Sequence, residues 1–165
     1  REILKALNFL HKNNRMHRDL TTDDILLNMS GDVLISDFEL WMGNNLQRYW
    51  LSPELLLSEP YPYGPEVDIW SLGCILMEMA DGYPPYSDMH PIKEFFFTAT
   101  NGAPPLSNSK KWSNGLKQFL ESCLHPDPTK RGTAEHLLKH PWLENACTRQ
   151  KFSEDVQLRI SWTRW

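Results

Sequence analysis

The residues of this 165-residue chain that could do chemistry are histidines, cysteines and a group of aspartates. Among the histidines, only His136 and His140 are spaced so that both could lie on one helical face, as zinc ligands sometimes do. No third ligand is close to them in the sequence, and Pro141 follows directly. We therefore favour a helix end followed by a turn over a zinc site.

The cysteines Cys74, Cys123 and Cys147 are odd in number and far apart, and no CxxC pair occurs. This pattern argues against a disulfide framework and indicates a reducing compartment. We expect a cytoplasmic protein.

Three aspartates, Asp19, Asp24 and Asp37, lie before and after two short apolar runs. An aspartate in a loop commonly caps its own backbone. Carboxylates are also ligands that Mg²⁺ prefers. The residue types alone leave both interpretations open.

Helical patterns account for most of the chain. Ile3, Leu7 and Leu10 recur at helical spacing and predict an amphipathic helix that ends near residues 13 and 14. Further helices are predicted over 91–100, 115–123 and 134–138, with Thr133 as the N-cap of the last one. The apolar runs 25–27 and 33–35 around Gly31 predict a small hairpin.

The segment from Val67 to Met79 is apolar on almost every side, which is typical of a helix buried in the middle of a domain. The sequence 82–85, Gly-Tyr-Pro-Pro, ends it. Residues 147–165 show no clear period and predict a poorly ordered tail that could include a short helix.

Five motifs in the same order resemble those of protein kinases. They are His17-Arg18-Asp19-Leu20 with Asp24, Asp37-Phe38-Glu39, Ser52-Pro53-Glu54, the segment 67–73, and the segment 127–131. The residue sequence of segments 49–50, 63–70 and 99–102 resembles that of PAK-type Ser/Thr kinases in particular. No Gly-rich loop or V-A-I-K lysine precedes the first helix.

The resemblance implies a mainly α fold with a small β-hairpin, a kinase C-terminal lobe without an N-terminal lobe. Residues 1–146 form that lobe in this interpretation, and 147–165 form a divergent tail. ATP and Mg²⁺ are the cofactors of the family. Proteins that are kinase substrates or regulators are the implied partners.

The resemblance also assigns site residues. Asp19 takes the position of the catalytic aspartate that orients the substrate hydroxyl. Asp37 takes that of the main Mg²⁺ ligand, and Asp24 that of the asparagine that holds a second Mg²⁺. The floor of the adenine site is implied at Ile25, Leu26 and Leu27.

Structural roles are implied for six further residues. His17 and Phe38 pack together above Asp68 on the central helix. Glu54 and Arg131 form a buried ion pair, and Arg18 is the usual partner of an activating phosphate.

Several positions depart from the family pattern. Thr21 stands where Ser/Thr kinases have a lysine, so it cannot supply a positive charge to the transferring phosphoryl group. Asp24 cannot donate the amide hydrogen bond that braces the loop, so we expect it to brace the loop poorly. Glu39 replaces a glycine and adds charge, and Gln47 replaces the threonine that supports substrate docking.

These departures leave three hypotheses open: an active kinase seen in part, a pseudokinase that binds proteins, and a decayed copy without a selected function. They predict weak ATP binding. An apolar face exposed where an N-terminal lobe would pack predicts self-association.

Composition excludes some other classes. The net charge of −4 gives no indication of nucleic acid or of an anionic membrane as a partner. No apolar run approaches the roughly 20 residues that a membrane span requires. The charged opening at residues 1–2 does not resemble a signal peptide.

Overall fold

The computed structural model describes residues 1–37, 48–57 and 63–162. The described part is mainly helical, with one two-stranded antiparallel sheet, as the sequence predicts. Its α-helices and β-strands are α1 Glu2–Lys12, β1 Ile25–Leu27, β2 Val33–Ile35, α2 Pro53–Leu56, α3 Glu66–Asp81, α4 Pro91–Asn101, α5 Asn114–Cys123, α6 Ala134–Leu137 and α7 Arg149–Trp162.

Helix α3 runs through the centre of the core. Trp70 and Ile75 are buried, which confirms the prediction of a central helix over 67–79. Gly82 ends the helix with a left-handed φ of 89°, and its N–H donates to the Glu78 carbonyl at 2.8 Å. Only the C-terminal end of the predicted span turns outward, since Met79 is 59% exposed.

Helix α1 buries one face, through Leu4 and Leu7, and packs against α6 and β2. It ends where the sequence predicts: Asn13 follows the last turn, and its side-chain amide donates to the Phe9 carbonyl at 2.7 Å. Asn14 then adopts a left-handed φ of 55°, which turns the chain toward the loop with His17.

The hairpin pairs β1 and β2 with the register Ile25 to Ile35, Leu26 to Leu34 and Leu27 to Val33. Its turn is organised by Asn28, whose side-chain oxygen accepts from the N–H groups of Ser30 (3.0 Å) and Asp32 (2.9 Å). The hairpin prediction is confirmed.

The later helices begin at side-chain caps. Thr133 accepts a hydrogen bond from the His136 N–H at 3.1 Å, as predicted, and Ser113 caps α5 in the same way. The second of the two spaced histidines has a local role, because His140 Nδ1 accepts from the Trp142 N–H at 3.2 Å. Its ring also contacts Phe119, with ring centres 5.2 Å apart.

The tail differs from the prediction, which allowed only a short helix, because α7 is 14 residues long. The helix has no apolar stripe, which is why the pattern did not reveal its length. It is held through polar side chains that reach the turn of the hairpin. The degree of order of the tail in solution stays a prediction.

No helix in the described part of the chain is both long enough and apolar enough to cross a membrane.

Candidate functional site

The loop that follows α1 is fastened to the central helix by one carboxylate. Asp68 is fully buried, and its two oxygens accept from the N–H groups of His17 (2.9 Å) and Arg18 (2.8 Å). His11 adds a third contact, with Nε2 2.8 Å from Asp68 Oδ2. A buried carboxylate is stable only with such partners, so these contacts fix the backbone immediately before Asp19.

Asp19 lies between two fixed points. Arg18 on one side has a left-handed φ of 76°, an unfavourable conformation for an arginine that the bond to Asp68 helps to hold. Leu20 on the other side is fully buried in the core. The side chain of Asp19 is therefore carried by a backbone segment with little freedom.

Histidine 17 links this loop to the end of the hairpin. Its Nε2 donates to the Ser36 carbonyl at 2.8 Å, and the residue is buried. The expected packing partner, Phe38, lies outside the described residues, as do Glu39 and Gln47. Their implied roles stay predictions.

Thr21 and Asp24 form a reciprocal pair. The Thr21 N–H and hydroxyl both donate to Asp24 Oδ2, at 2.8 and 3.0 Å, while Thr21 Oγ1 accepts from the Asp23 N–H at 3.2 Å. Thr21 is 1% exposed and Asp24 9%. The expectation that Asp24 braces the loop poorly is wrong: it closes the loop as an acceptor instead of a donor. Thr21 supplies the donors and Asp24 supplies the acceptor, so the two residues that depart from the family pattern bind each other.

The sequence contains a local signal for this pair. A threonine followed three positions later by an acidic residue is a capping box, and here it starts the short 3₁₀ turn Thr22–Asp24. The contact of His11 with Asp68 had no comparable signal, because the two residues are 57 positions apart.

Asp24 and Asp37 lie at the open end of the hairpin, one before β1 and one after β2. Ser36 connects them: its N–H donates to the Asp24 carbonyl at 3.0 Å, and its hydroxyl donates to Asp37 Oδ2 at 3.2 Å. Asp37 is exposed and has a left-handed φ of 58°. The strained backbone directs attention to this position as a functional candidate.

Carboxylates such as those of Asp24 and Asp37 are of the ligand type that Mg²⁺ prefers, and joint binding of the ion by the two stays a prediction. Magnesium is usually held by one or two carboxylates together with substrate phosphates and water. Among the described residues, no group of three His, Cys, Asp or Glu side chains could hold a metal alone. Asp37 would carry most of the binding, because one oxygen of Asp24 is already occupied by Thr21.

The residues implied for the adenine floor lie on β1. Ile25 is half-buried, whereas Leu26 and Leu27 are 48% and 52% exposed. Leu26 pairs with Leu34, which is also exposed, so the outer face of the hairpin presents apolar side chains. Whether adenine binds there stays a prediction.

Glu54 and Arg131 are 77 positions apart and form the expected ion pair. The Arg131 Nη1 and Nη2 groups donate to the two Glu54 carboxylate oxygens at 2.5 and 2.7 Å. The guanidinium also donates to three backbone carbonyls and stacks over Trp70, 5.0 Å from the ring centre. Glu54 follows Ser52-Pro53 at the start of α2, so this pair ties that segment to the late helices.

The two core cysteines have no role in the site. Burial raises the pKa of the Cys74 and Cys123 thiols well above the usual range, although the charge of Arg131 opposes the shift. Thiols in that state are unreactive at neutral pH.

The sequence model of the "Protein kinase domain" matches residues 1–143. The chain belongs to the protein kinase family. The match takes in the loop with Asp19, the hairpin, the central helix and the Glu54–Arg131 pair.

Relatives among known proteins are PAK-type and STE20-type kinases. Serine/threonine-protein kinase pakC of Dictyostelium discoideum is 40% identical over 167 residues, which cover 95% of this chain and 35% of that protein. Serine/threonine-protein kinase PAK 1 of Mus musculus is 42% identical, covering 88% and 28%. Serine/threonine-protein kinase STE20 of Candida glabrata is 41% identical, covering 87% and 16%.

This kinase chain therefore spans about a third or less of the length of each of these relatives. The match to pakC takes in 95% of the chain and so extends into the tail, beyond the end of the domain match at 143. The boundary between lobe and tail near 146 stays a prediction.

The Thr21–Asp24 pair predicts a coupled effect on stability. Thr21→Val removes the hydroxyl and should lower the free energy of unfolding by about 1–3 kcal/mol, because a buried carboxylate loses a donor. Thr21→Ser keeps the hydroxyl and should cost less. Urea unfolding of both variants, of Asp24→Asn and of Thr21→Val/Asp24→Asn should give a coupling energy of about 0.5–3 kcal/mol. Additive effects would show that the two residues act separately.

The Glu54–Arg131 pair predicts a large single-site cost. Glu54→Gln should lower the free energy of unfolding by about 3–5 kcal/mol, because the buried Arg131 charge loses its counter-ion. Lys130→Ala removes an exposed partner of Asp127 and should cost less than about 1 kcal/mol. Chemical denaturation measures both; equal small losses would contradict the argument.

Proposed function

We propose that this chain is the C-terminal lobe of a PAK-type Ser/Thr protein kinase domain and that it does not transfer phosphoryl groups as it stands. The family membership supports the first part. The observation that carries the second part is the Thr21–Asp24 pair. At the position where a lysine is implied, the loop has a buried, neutral side chain that donates into the protein.

Electrostatics explains why this exchange matters. Phosphoryl transfer depends almost entirely on positioning and on stabilising charge that spreads over the phosphoryl oxygens. Loss of one preorganised electrostatic donor typically costs about 10²–10³ in rate. The Thr21 hydroxyl has no charge, and its hydrogen is committed to Asp24 at 3.0 Å.

The other site residues support a folded loop more strongly than they support phosphoryl transfer. Asp19 keeps a fixed backbone, and Asp37 keeps an exposed carboxylate that would hold Mg²⁺ together with ATP. Glu39 adds a negative charge two positions after Asp37 in the sequence, and further negative charge opposes the binding of phosphate. We infer weak nucleotide binding.

A protein-binding role is the second candidate. Two buried charged residues of the scaffold, Arg131 and Asp68, are paired through hydrogen bonds, which supports a folded surface for a partner. Helix α4 exposes the apolar residues Ile92, Phe95 and Phe96. Pull-down with purified kinase substrates and regulators tests this role; retention that survives Phe96→Ser and Ile92→Ser would argue against this face.

The proposal includes a cytoplasmic location, which the lack of any disulfide among the three cysteines supports. A tagged chain that accumulates in an oxidising compartment would contradict it.

Phosphoryl transfer by this chain should be negligible. A radiolabelled-ATP assay on a generic basic substrate should give background incorporation, because no cation is present at Thr21 and Asp24 is engaged in closing the loop. Asp19→Asn is the matched control, since it removes the carboxylate that would orient the substrate hydroxyl. Incorporation above background that disappears in Asp19→Asn would restore the active-kinase hypothesis.

The exposed hairpin face predicts self-association. Leu26 and Leu34 lie opposite each other and are both about half exposed, so two chains can bury them against each other. Light scattering should show species larger than a monomer at high concentration, and Leu26→Ser/Leu34→Ser should reduce them. Phe9→Ser, which removes an exposed apolar residue from α1, should not. A monodisperse monomer in the parent chain would contradict this prediction.

A further inference from the structure

The turn of the hairpin and the tail helix α7 are in direct contact. Arg149 donates from Nε to the Ser30 carbonyl at 3.0 Å, and its Nη2 lies 2.8 Å from the Asp32 carboxylate. The Ser153 hydroxyl donates to the Met29 carbonyl at 2.6 Å. Gln157 Nε2 donates to the same carbonyl at 3.1 Å.

These three donors share one face of α7. Arg149, Ser153 and Gln157 are spaced by four residues, so their side chains line up along the helix. The acceptors on the turn are two backbone carbonyls and one carboxylate. An exposed ion pair alone contributes little. Four hydrogen bonds from one helix face to one turn form a docking contact.

Glycine 31 makes the close approach possible. It lies in the turn with a left-handed φ of 76° and is buried. A Cβ at this position would lie 2.6 Å from the Arg149 carbonyl oxygen and 3.0 Å from the Ser153 nitrogen. The turn therefore requires glycine both for its backbone conformation and to leave room for helix α7.

The hairpin is consequently held at both ends. At the turn it is held by α7. At the open end, Ser36 connects the backbone of Asp24 to the side chain of Asp37. Each strand has only three residues, so movement at the turn is transmitted to the open end over a short distance.

We propose that α7 is an intramolecular strap: it docks on the turn 29–32 through Arg149, Ser153 and Gln157 and so fixes the relative positions of Asp24 and Asp37. Release of the strap loosens both ends of the hairpin. The strap is a property of the folded chain and does not depend on phosphoryl transfer.

Residue-resolved amide hydrogen exchange of the full chain tests the strap. Arg149→Asp places two carboxylates side by side, and Ser153→Ala removes the shorter of the two hydrogen bonds to the Met29 carbonyl. Each variant should accelerate exchange of the turn amide Gly31 and of the Ser36 amide by about fivefold or more. Amides of α3 should keep their protection, which establishes that the fold is intact.

Lys151→Asp is the matched charge control, because Lys151 lies on the same helix but pairs with Asp155 instead of the turn. It should leave hairpin exchange unchanged. Three results would overturn the proposal: unprotected α7 amides in the parent chain, unchanged Gly31 exchange in Arg149→Asp, or faster Gly31 exchange with an unchanged Ser36 amide. The last result would mean that the helix holds the turn only.

Discussion

The structure depends on a buried carboxylate at the centre of the core. Asp68 sits on the central helix with no exposed surface, and it has no solvent to compensate its charge. Its oxygens are satisfied by the loop backbone at His17 and Arg18 and by the His11 ring. The requirement is mutual, because Arg18 adopts a left-handed backbone conformation that needs an anchor. The position of Asp19 follows from this arrangement.

Around Asp68, Glu54 and Arg131 of the scaffold form the pair that the sequence predicts, whereas two residues of the catalytic loop depart from the family pattern. In the scaffold, the Arg131 guanidinium binds the Glu54 carboxylate and three backbone carbonyls together. In the loop, Thr21 and Asp24 stand where the family resemblance implies a lysine and an asparagine, and these two residues are hydrogen-bonded to each other. A folded loop therefore carries no information about retained catalysis, since closure of the loop and stabilisation of phosphate charge rely on different groups.

Much of this could be predicted from the sequence. The all-round apolar pattern of 67–79 identified the central helix, and motif order placed Glu54 beside Arg131. Prediction failed where the contacts are polar. We predicted a poorly braced loop because Asp24 lacks the amide donor of an asparagine. Its carboxylate, however, accepts a hydrogen bond from the Thr21 hydroxyl. Helix α7 has no apolar stripe and contacts a turn more than a hundred residues earlier, so no periodicity could reveal it.

We propose that the loop of this kinase lobe keeps its backbone conformation but lacks the positive charge that would stabilise nucleotide phosphates. Calorimetric titration of the chain with ATP, with and without Mg²⁺, tests it most directly. The account predicts no saturable heat with ATP in the micromolar range under either condition. Micromolar binding that requires Mg²⁺ and is lost in Asp37→Asn would contradict it, because the carboxylates would then suffice without the missing cation.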